Sequence, residues 1–237
     1  MFAIPPAFLP AASGNGDSFY NSTVLLLHMN GTNGGTTFTD NSFVGRVTAA
    51  GGNAQTSTAQ SIFNGSSGLF DGSGDFISCG VSADFDFGSG DFTIEGAIRA
   101  NTLSGIDALV SNRQTAGADP GFILYVNGGV LNFVAWNPAG TVVVNFAGPT
   151  FTTGSWQWFA VRRLTNTFTL WKDGANTGSA SYSGAIAASA PLALTTFVGK
   201  DPSTAGREYD GHMAELRITK GVGRTIVVPT SPWPNSL

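Results

Sequence analysis

One cysteine, Cys79, stands in 237 residues. No intrachain disulfide can form, and no cysteine-based zinc site can be built. Charge is scarce as well: charged residues make up 11% of the chain, and Lys172, Lys200 and Lys220 are its lysines. No basic cluster exceeds the pair Arg162-Arg163, and the formal net charge is −4, so the electrostatic footprint of nucleic-acid binding is missing. Apolar runs are a few residues long, too short to span a membrane. No stretch keeps apolar residues at helical spacing for three turns. The stretch MFAIPPAFLPAASGNGD lacks a positive n-region, and Pro5, Pro6 and Pro10 interrupt its apolar part, so it is a poor signal peptide. Synthesis in a cytoplasm is the expectation.

What the chain does hold is glycine, 32 residues, phenylalanine, 18 residues, and 42% hydrophobic content. That content argues against disorder, and the mixture suits short strands joined by tight turns. TVLLLHM (23–29) reads as a buried strand, and FISC (76–79) and DFTIEGAIR (91–99) as alternating ones. GFILYV-NGG-VLNFVAW (121–136) is the clearest hairpin, with Asn127-Gly128 as the residues of positive φ. WQWFAVRR (156–163) and FTLW-KDG-ANTG (168–178) form a second set, turning at Asp173-Gly174; LALTTFVG (192–199) and MAELRIT (213–219) complete the pattern. FDGSGDF (70–76) and FDFGSGDF (85–92) echo each other as two similar turns. Turn signals about every 8–12 residues mark an all-β sandwich or jelly roll. Residues 1–19 stand apart as an apolar, proline-rich segment, followed by a single domain over 20–237 that ends in a short proline-rich tail. Phe2, Ile4, Phe8 and Leu9 would be wasted on solvent, and proline stiffens an extended chain, so the segment reads as an arm that binds partner proteins. The competing readings are a disordered tail or an arm packed on its own domain. Arms intertwined near a symmetry axis would make a homotrimer.

Four motifs in this order are familiar: SSGLFDGSGDFISC (66–79), GDFTIEGAIRA (90–100), SWQWFAVRRLTNTFTLWKDG (155–174) and FVGKDP…YDGHMAELRI (197–218). Together they resemble laminin-G-like domains of the concanavalin A-like lectin/glucanase superfamily, over roughly residues 22 to 230. The resemblance implies a two-sheet antiparallel jelly roll. The opening MNGTNGG…FTDNS and the ending RITKGVGR…VPTSPWP look like versions found in bacteriophage virion and tail proteins. They imply a structural or adhesion protein of a virion, either head decoration or tail appendage. A free-standing calcium-assisted lectin and a glycoside hydrolase are the alternatives. One departure is visible: Ala97 stands where relatives usually carry a tryptophan, so Trp156 or Trp158 is expected to fill that space.

Glucanases of the superfamily need two carboxylates close together, about 5–5.5 Å apart for retention. AELRI offers only Glu215. Asp210 lies five residues away, an odd offset that in a regular strand points it to the opposite face. Glu215 and Arg217 share a face, and a cross-strand or i,i+2 ion pair is the expectation. His212 reads as a structural histidine, and His28, buried in TVLLLHM, is no convincing partner for a catalytic serine. Serines flanked by glycine occur, but no G-x-S-x-G elbow lies between a strand and a helix. The chain is therefore not expected to be an enzyme. For calcium, the oxygen-bearing Asp71 and Asp75 in the Gly-Ser turn, with Asp40 and Asp86, are the candidates; the competing reading is that each simply caps its own turn. For a glycan, Trp136 and Asn137 at a hairpin end, with Arg207 and Tyr209 in the 199–210 loop, are the candidate rim residues.

Overall fold

The run TVLLL has no polar side, and a strand with two apolar faces must be covered on both. In a computed structural model, which describes residues 16–113, 120–186 and 194–237, this run is β1 (Thr23–Leu27), buried at every position. There follow β2 (Ala49–Gly51), β3 (Gln55–Ser57), β4 (Ser67–Asp71), β5 (Phe76–Val81), β6 (Phe92–Ala100), β7 (Ile106–Ser111) and β8 (Gly121–Asn127). The second half holds β9 (Val130–Trp136), β10 (Val142–Thr150), β11 (Gln157–Leu164), β12 (Thr167–Lys172), β13 (Ala175–Ser181), β14 (Thr195–Val198) and β15 (Asp210–Lys220).

Among the described residues these strands make two antiparallel sheets. One runs β13-β12-β11-β6-β15-β4-β3, with β1 paired to β15; the other runs β10-β9-β8-β7-β14-β5-β2. This is the expected jelly-roll sandwich. Alternation along each strand sends one set of side chains between the sheets. Phe92, Ile94 and Ile98 of β6 and Phe159 and Val161 of β11 meet Phe122, Leu124 and Val126 of β8 and Leu131 and Phe133 of β9. Phenylalanine dominates the layer: Phe87 stacks on Phe92 at 4.2 Å between centroids, and Phe133 lies 6.0 Å from both Phe122 and Phe168. Each such side chain contributes about 1.5–3 kcal/mol on full burial.

The β8–β9 hairpin forms as expected, with its turn one residue later. Positive φ falls on Gly128 and Gly129, at 55° and 84°, while Asn127 stays in the ladder opposite Val130. Two glycines enter that region without a Cβ penalty, so asparagine is not needed there. The Asp173-Gly174 turn joins β12 to β13, with φ of 47° and 80°. β2, β3, β7 and β10 carry no clear strand signal: two are three residues long, and β10 contains Gly148 and Pro149.

The other face of β6 holds Thr93, Glu95 and Ala97, and it is covered rather than wet. Trp158 pairs directly across from Ala97, and Leu26 and Trp233 close the same cluster, with Trp156 at its margin. Trp158 thus fills the expected space; the distant Trp233 was not foreseen. Residues 16–19, assigned to the arm by sequence, join this roof. Asp17 is buried, and its N–H donates to Ser236 O at 2.8 Å, so the two ends of the domain meet. Phe2, Ile4, Phe8 and Leu9 lie outside the described residues. Among the described residues no helix is long and apolar enough to cross a membrane.

Candidate functional site

Two places concentrate polar side chains, one under the roof and one in the open. Under the roof, a β-bulge breaks the register of β15 on β6 between Ala214 and Arg217, and Glu215 sits in it with φ of 52°. A residue held in that conformation costs about 1–3 kcal/mol unless its surroundings impose it. They do here. His28 Nδ1 donates to both carboxylate oxygens at 3.0 and 2.9 Å. Trp233 donates its N–H to Oε2 at 2.9 Å and its indole Nε1–H to the Glu215 carbonyl at 3.1 Å. Of the two ion pairs expected, the i,i+2 pair of Glu215 with Arg217 does not form, because the extra residue in the bulge parts the two side chains, and the cross-strand pair does, between Arg217 and Glu95.

Arg217 instead donates to Glu95 Oε1 from Nε and Nη2, at 3.0 and 2.7 Å, and to Asp17 Oδ2 from Nη1 at 3.2 Å. Arg224 donates to Asp17 from Nη1 and Nη2, at 2.8 and 2.7 Å. Trp233 lies over the Arg217 guanidinium at 3.6 Å. Burial acts to raise the Asp17 pKa, but hydrogen bonds from Arg224 and the Phe19 N–H, with the charges of Arg224 and Arg217, hold it below the usual carboxylate range. Burial draws the Arg217 pKa down against the pull of Glu95. Two acids and two bases close on each other, so Asp17 and Glu95 are both taken up by arginines.

His212 is held by the neighbouring strand. Its Nδ1 meets Ser67 Oγ at 2.9 Å, but the Ser67 hydroxyl donates to Gln60 O at 2.8 Å, so the histidine is the donor. Burial also lowers the His212 pKa, with Arg99 adding to it.

The aspartates considered for calcium serve their own turns. Asp40 accepts from the N–H groups of Leu26, Ser42 and Arg46. Asp75 accepts from Asn53 and Asp71 N–H, Asp71 from Ser73 N–H, and Asp86 from Gly88 N–H. Burial raises the Asp75 pKa, with the charge of Asp71 adding to it. Among the described residues no three His, Cys, Asp or Glu side chains group as a metal ion would require.

The open place is on the outer face of the other sheet. Alternation turns Ile123 and Tyr125 of β8 and Val134 and Trp136 of β9 away from the core, where they pack with Ala108. Arg113, after β7, and Arg207, before β15, line a cleft of about 280 Å³ with them, together with Ile106, Val142 and Asn145. That volume is near the lower end for small-molecule sites, about 300 Å³. Arg113 lies over the Trp136 ring at 4.3 Å. Buried Asp201 holds both arginines through Oδ2, at 3.0 Å to Arg113 Nη1 and 2.7 Å to Arg207 Nη1. Burial raises the Tyr125 pKa, and the charges of Arg207 and Arg113 act against that rise. An aromatic wall beside hydrogen-bond donors is a surface on which a sugar ring can stack and be oriented.

Of the four rim residues proposed for a glycan, the structure brings Trp136 and Arg207 together in this cleft. Asn137 is the hairpin's cap, accepting from Ala139 and Thr141 N–H. Tyr209 is corrected: it is fully buried beneath the sheets, its hydroxyl donating to His212 O at 3.2 Å, so it cannot meet a ligand. Arg113, Tyr125 and Asp201 were missed. Tyr125 was within reach, since it shares the outward register of Trp136; Arg113 and Asp201 are 88 positions apart and nothing local links them.

The sequence profile of the Concanavalin A-like lectin/glucanases superfamily matches residues 71–222, and the chain belongs to that superfamily. No curated protein matches it in sequence. Among solved structures it is similar to the binding domain of Paraclostridial Mosquitocidal Protein 1, with a TM-score of 0.68 and 14% identity over 88% of this chain and 50% of that one. It is also similar to the binding domain of Botulinum Neurotoxin serotype G, with a TM-score of 0.62 and 12% identity over 86% of this chain and 48% of that one. At such identity the likeness is one of fold. The chain spans about half the length of these two domains.

Proposed function

We propose that the chain is a non-catalytic, lectin-like binding domain whose outer cleft holds a sugar. We further propose that it rides on a bacteriophage particle, as head decoration or tail appendage, joined through its amino-terminal arm. The observation that carries the binding reading is the cleft itself, where Trp136 and Tyr125 face outward beside Arg113 and Arg207. Aromatic rings are favourable on a surface when a ligand covers them. The named structural neighbours are binding domains, which supports the same reading. Against hydrolysis stands the use of Asp17, Glu95 and Glu215 in buried bonds. The virion reading rests on the phage-like sequence at both ends of the domain and on the apolar arm.

A glycan array with the purified chain tests the binding reading: Trp136→Ala is expected to remove the signals while leaving the fold intact. Absence of any glycan signal would sink it. Particle fractionation with electron microscopy tests the virion reading, and truncation of residues 1–15 is expected to stop incorporation. Truncated chain that still joins particles would remove the arm from the proposal.

A further inference from the structure

Beside its aromatic rings the cleft has an aliphatic side, and β10 is bent to supply it. Val142 pairs across from Trp136 of β9, and Asn145 across from Val134. Residues three apart on a regular strand face opposite ways, yet both of these line the cleft. The register of β10 on β9 shifts between Val142 and Val144, and the extra residue turns Val142 and Asn145 to one side. Val142 remains 47% exposed there. Ile106, half-buried, adds a second aliphatic side chain to the lining. The Asn145 side chain is exposed, and among the described residues its amide makes no hydrogen bond.

A sugar bearing only hydroxyls can stack one ring face on Trp136, but it has no apolar group left to cover Val142 and Ile106. A primary amide has N–H donors and a carbonyl acceptor, so it can meet a second amide in both directions. An acetamido group answers both features, with a methyl at one end and an N–H and a C=O behind it. We infer that the ligand is an N-acetylated amino sugar. Its ring lies on Trp136, its acetamido methyl rests against Val142, and its amide bonds to Asn145. This rests on the reading of the cleft as the sugar site.

The test is titration calorimetry of the full chain with two matched pairs of probes: chitotriose with cellotriose, and N-acetylgalactosamine with galactose. Within each pair the rings differ only at carbon 2, acetamido against hydroxyl. In one pair the acetamido form is expected to bind about tenfold or more tighter, the range that one added apolar group in a pocket gives. Which pair shows it separates gluco from galacto sugars. Val142→Thr keeps the branched shape and puts a hydroxyl where a methyl was; it should cut the preference to about threefold or less. Asn145→Ala should do the same, and each variant should leave the hydroxyl form within about twofold. An unchanged melting curve for each variant secures the comparison. Hydroxyl forms that bind as tightly as their acetamido partners, and are lost in Trp136→Ala, overturn the inference and leave the sugar site standing. A preference that survives both Val142→Thr and Asn145→Ala also overturns it. No binding of any of the four probes overturns the inference, and a blank glycan array beside it overturns the sugar site as well.

Discussion

The sandwich has two outer faces, and both gather arginine, aspartate and tryptophan. On the face of β6 and β15, Asp17, Glu95, Arg217 and Arg224 are buried and pair with one another, and Asp17, Arg217 and Arg224 also line a cleft of about 290 Å³ with Trp233 and residues 16–19. On the face of β8 and β9, Arg113 and Arg207 share Asp201, Arg113 lies over the Trp136 ring, and Trp136 and Tyr125 stay half-buried on an open cleft. The same residue types thus do two jobs. A balanced set beneath a roof holds the scaffold, because an unmatched charge there would be desolvated without compensation. A set beside half-buried rings on an open cleft leaves those rings room to meet a ligand.

Breaking the closed set should have the largest effect. Glu95→Gln strips Arg217 of its main partner, and removal of one member of a buried pair costs about 3–5 kcal/mol. Urea unfolding should show that loss, while the folded fraction keeps its ligand. A loss below about 1 kcal/mol would mean that Asp17 alone satisfies Arg217. Next comes the open face: Trp136→Ala should weaken glycan binding by about tenfold, since an aromatic stacking contact contributes about 0.5–1.5 kcal/mol beyond its area. Its unfolding free energy should move less than that of Glu95→Gln, which calorimetry on both variants can decide.

Acid sharpens the contrast. The folded pKa of Asp17 is depressed, so its stabilisation is full above the unfolded value near 3.9 and is lost as pH falls through the folded one. Stability measured from pH 5 downward should decline less steeply in Asp17→Asn, which starts weaker; identical slopes would exclude Asp17 as a source. The smallest effect belongs to Asp107 on β7. Burial, then the charge of Asp210, raise its pKa to about 6, and its Oδ2 has no hydrogen-bond partner among the described residues. A raised acid contributes stability below its unfolded pKa and loses it as pH rises through about 6. Asp107→Asn should therefore be more stable than the parent at pH 7 and show no such gain at pH 4. Equal gains at both values would trace the effect to packing instead.

Much of the open face was legible. Alternation in GFILYV and VLNFVAW fixes which residues point away from the core, and one of them, Trp136, was named. Arg207 was named from its loop. Their meeting with Arg113 and Asp201 was not legible, because it depends on how β7, β14 and β15 bring distant loops together. The covered face was harder still. It turns on a bulge at Glu215, and an extra residue in a strand leaves no mark in the pattern of apolar positions. That bulge parts Glu215 from Arg217, so the cross-strand pair with Glu95 forms in place of the i,i+2 pair, and Glu215 meets His28. The boundary of the arm failed for a related reason: Asp17 looks like a loop residue until Arg217 and Arg224, some 200 positions on, reach it.

The bond from Asp17 N–H to Ser236 O has a consequence for how such a unit is mounted. Chain joined at residue 16 and chain joined at residue 237 would leave from one spot on the roofed side. A host protein could then take the whole cassette into a surface turn without stretching that turn, as domains with adjacent ends allow. The junction would then lie on the face of β6 and β15, and the cleft on the opposite face of the sandwich.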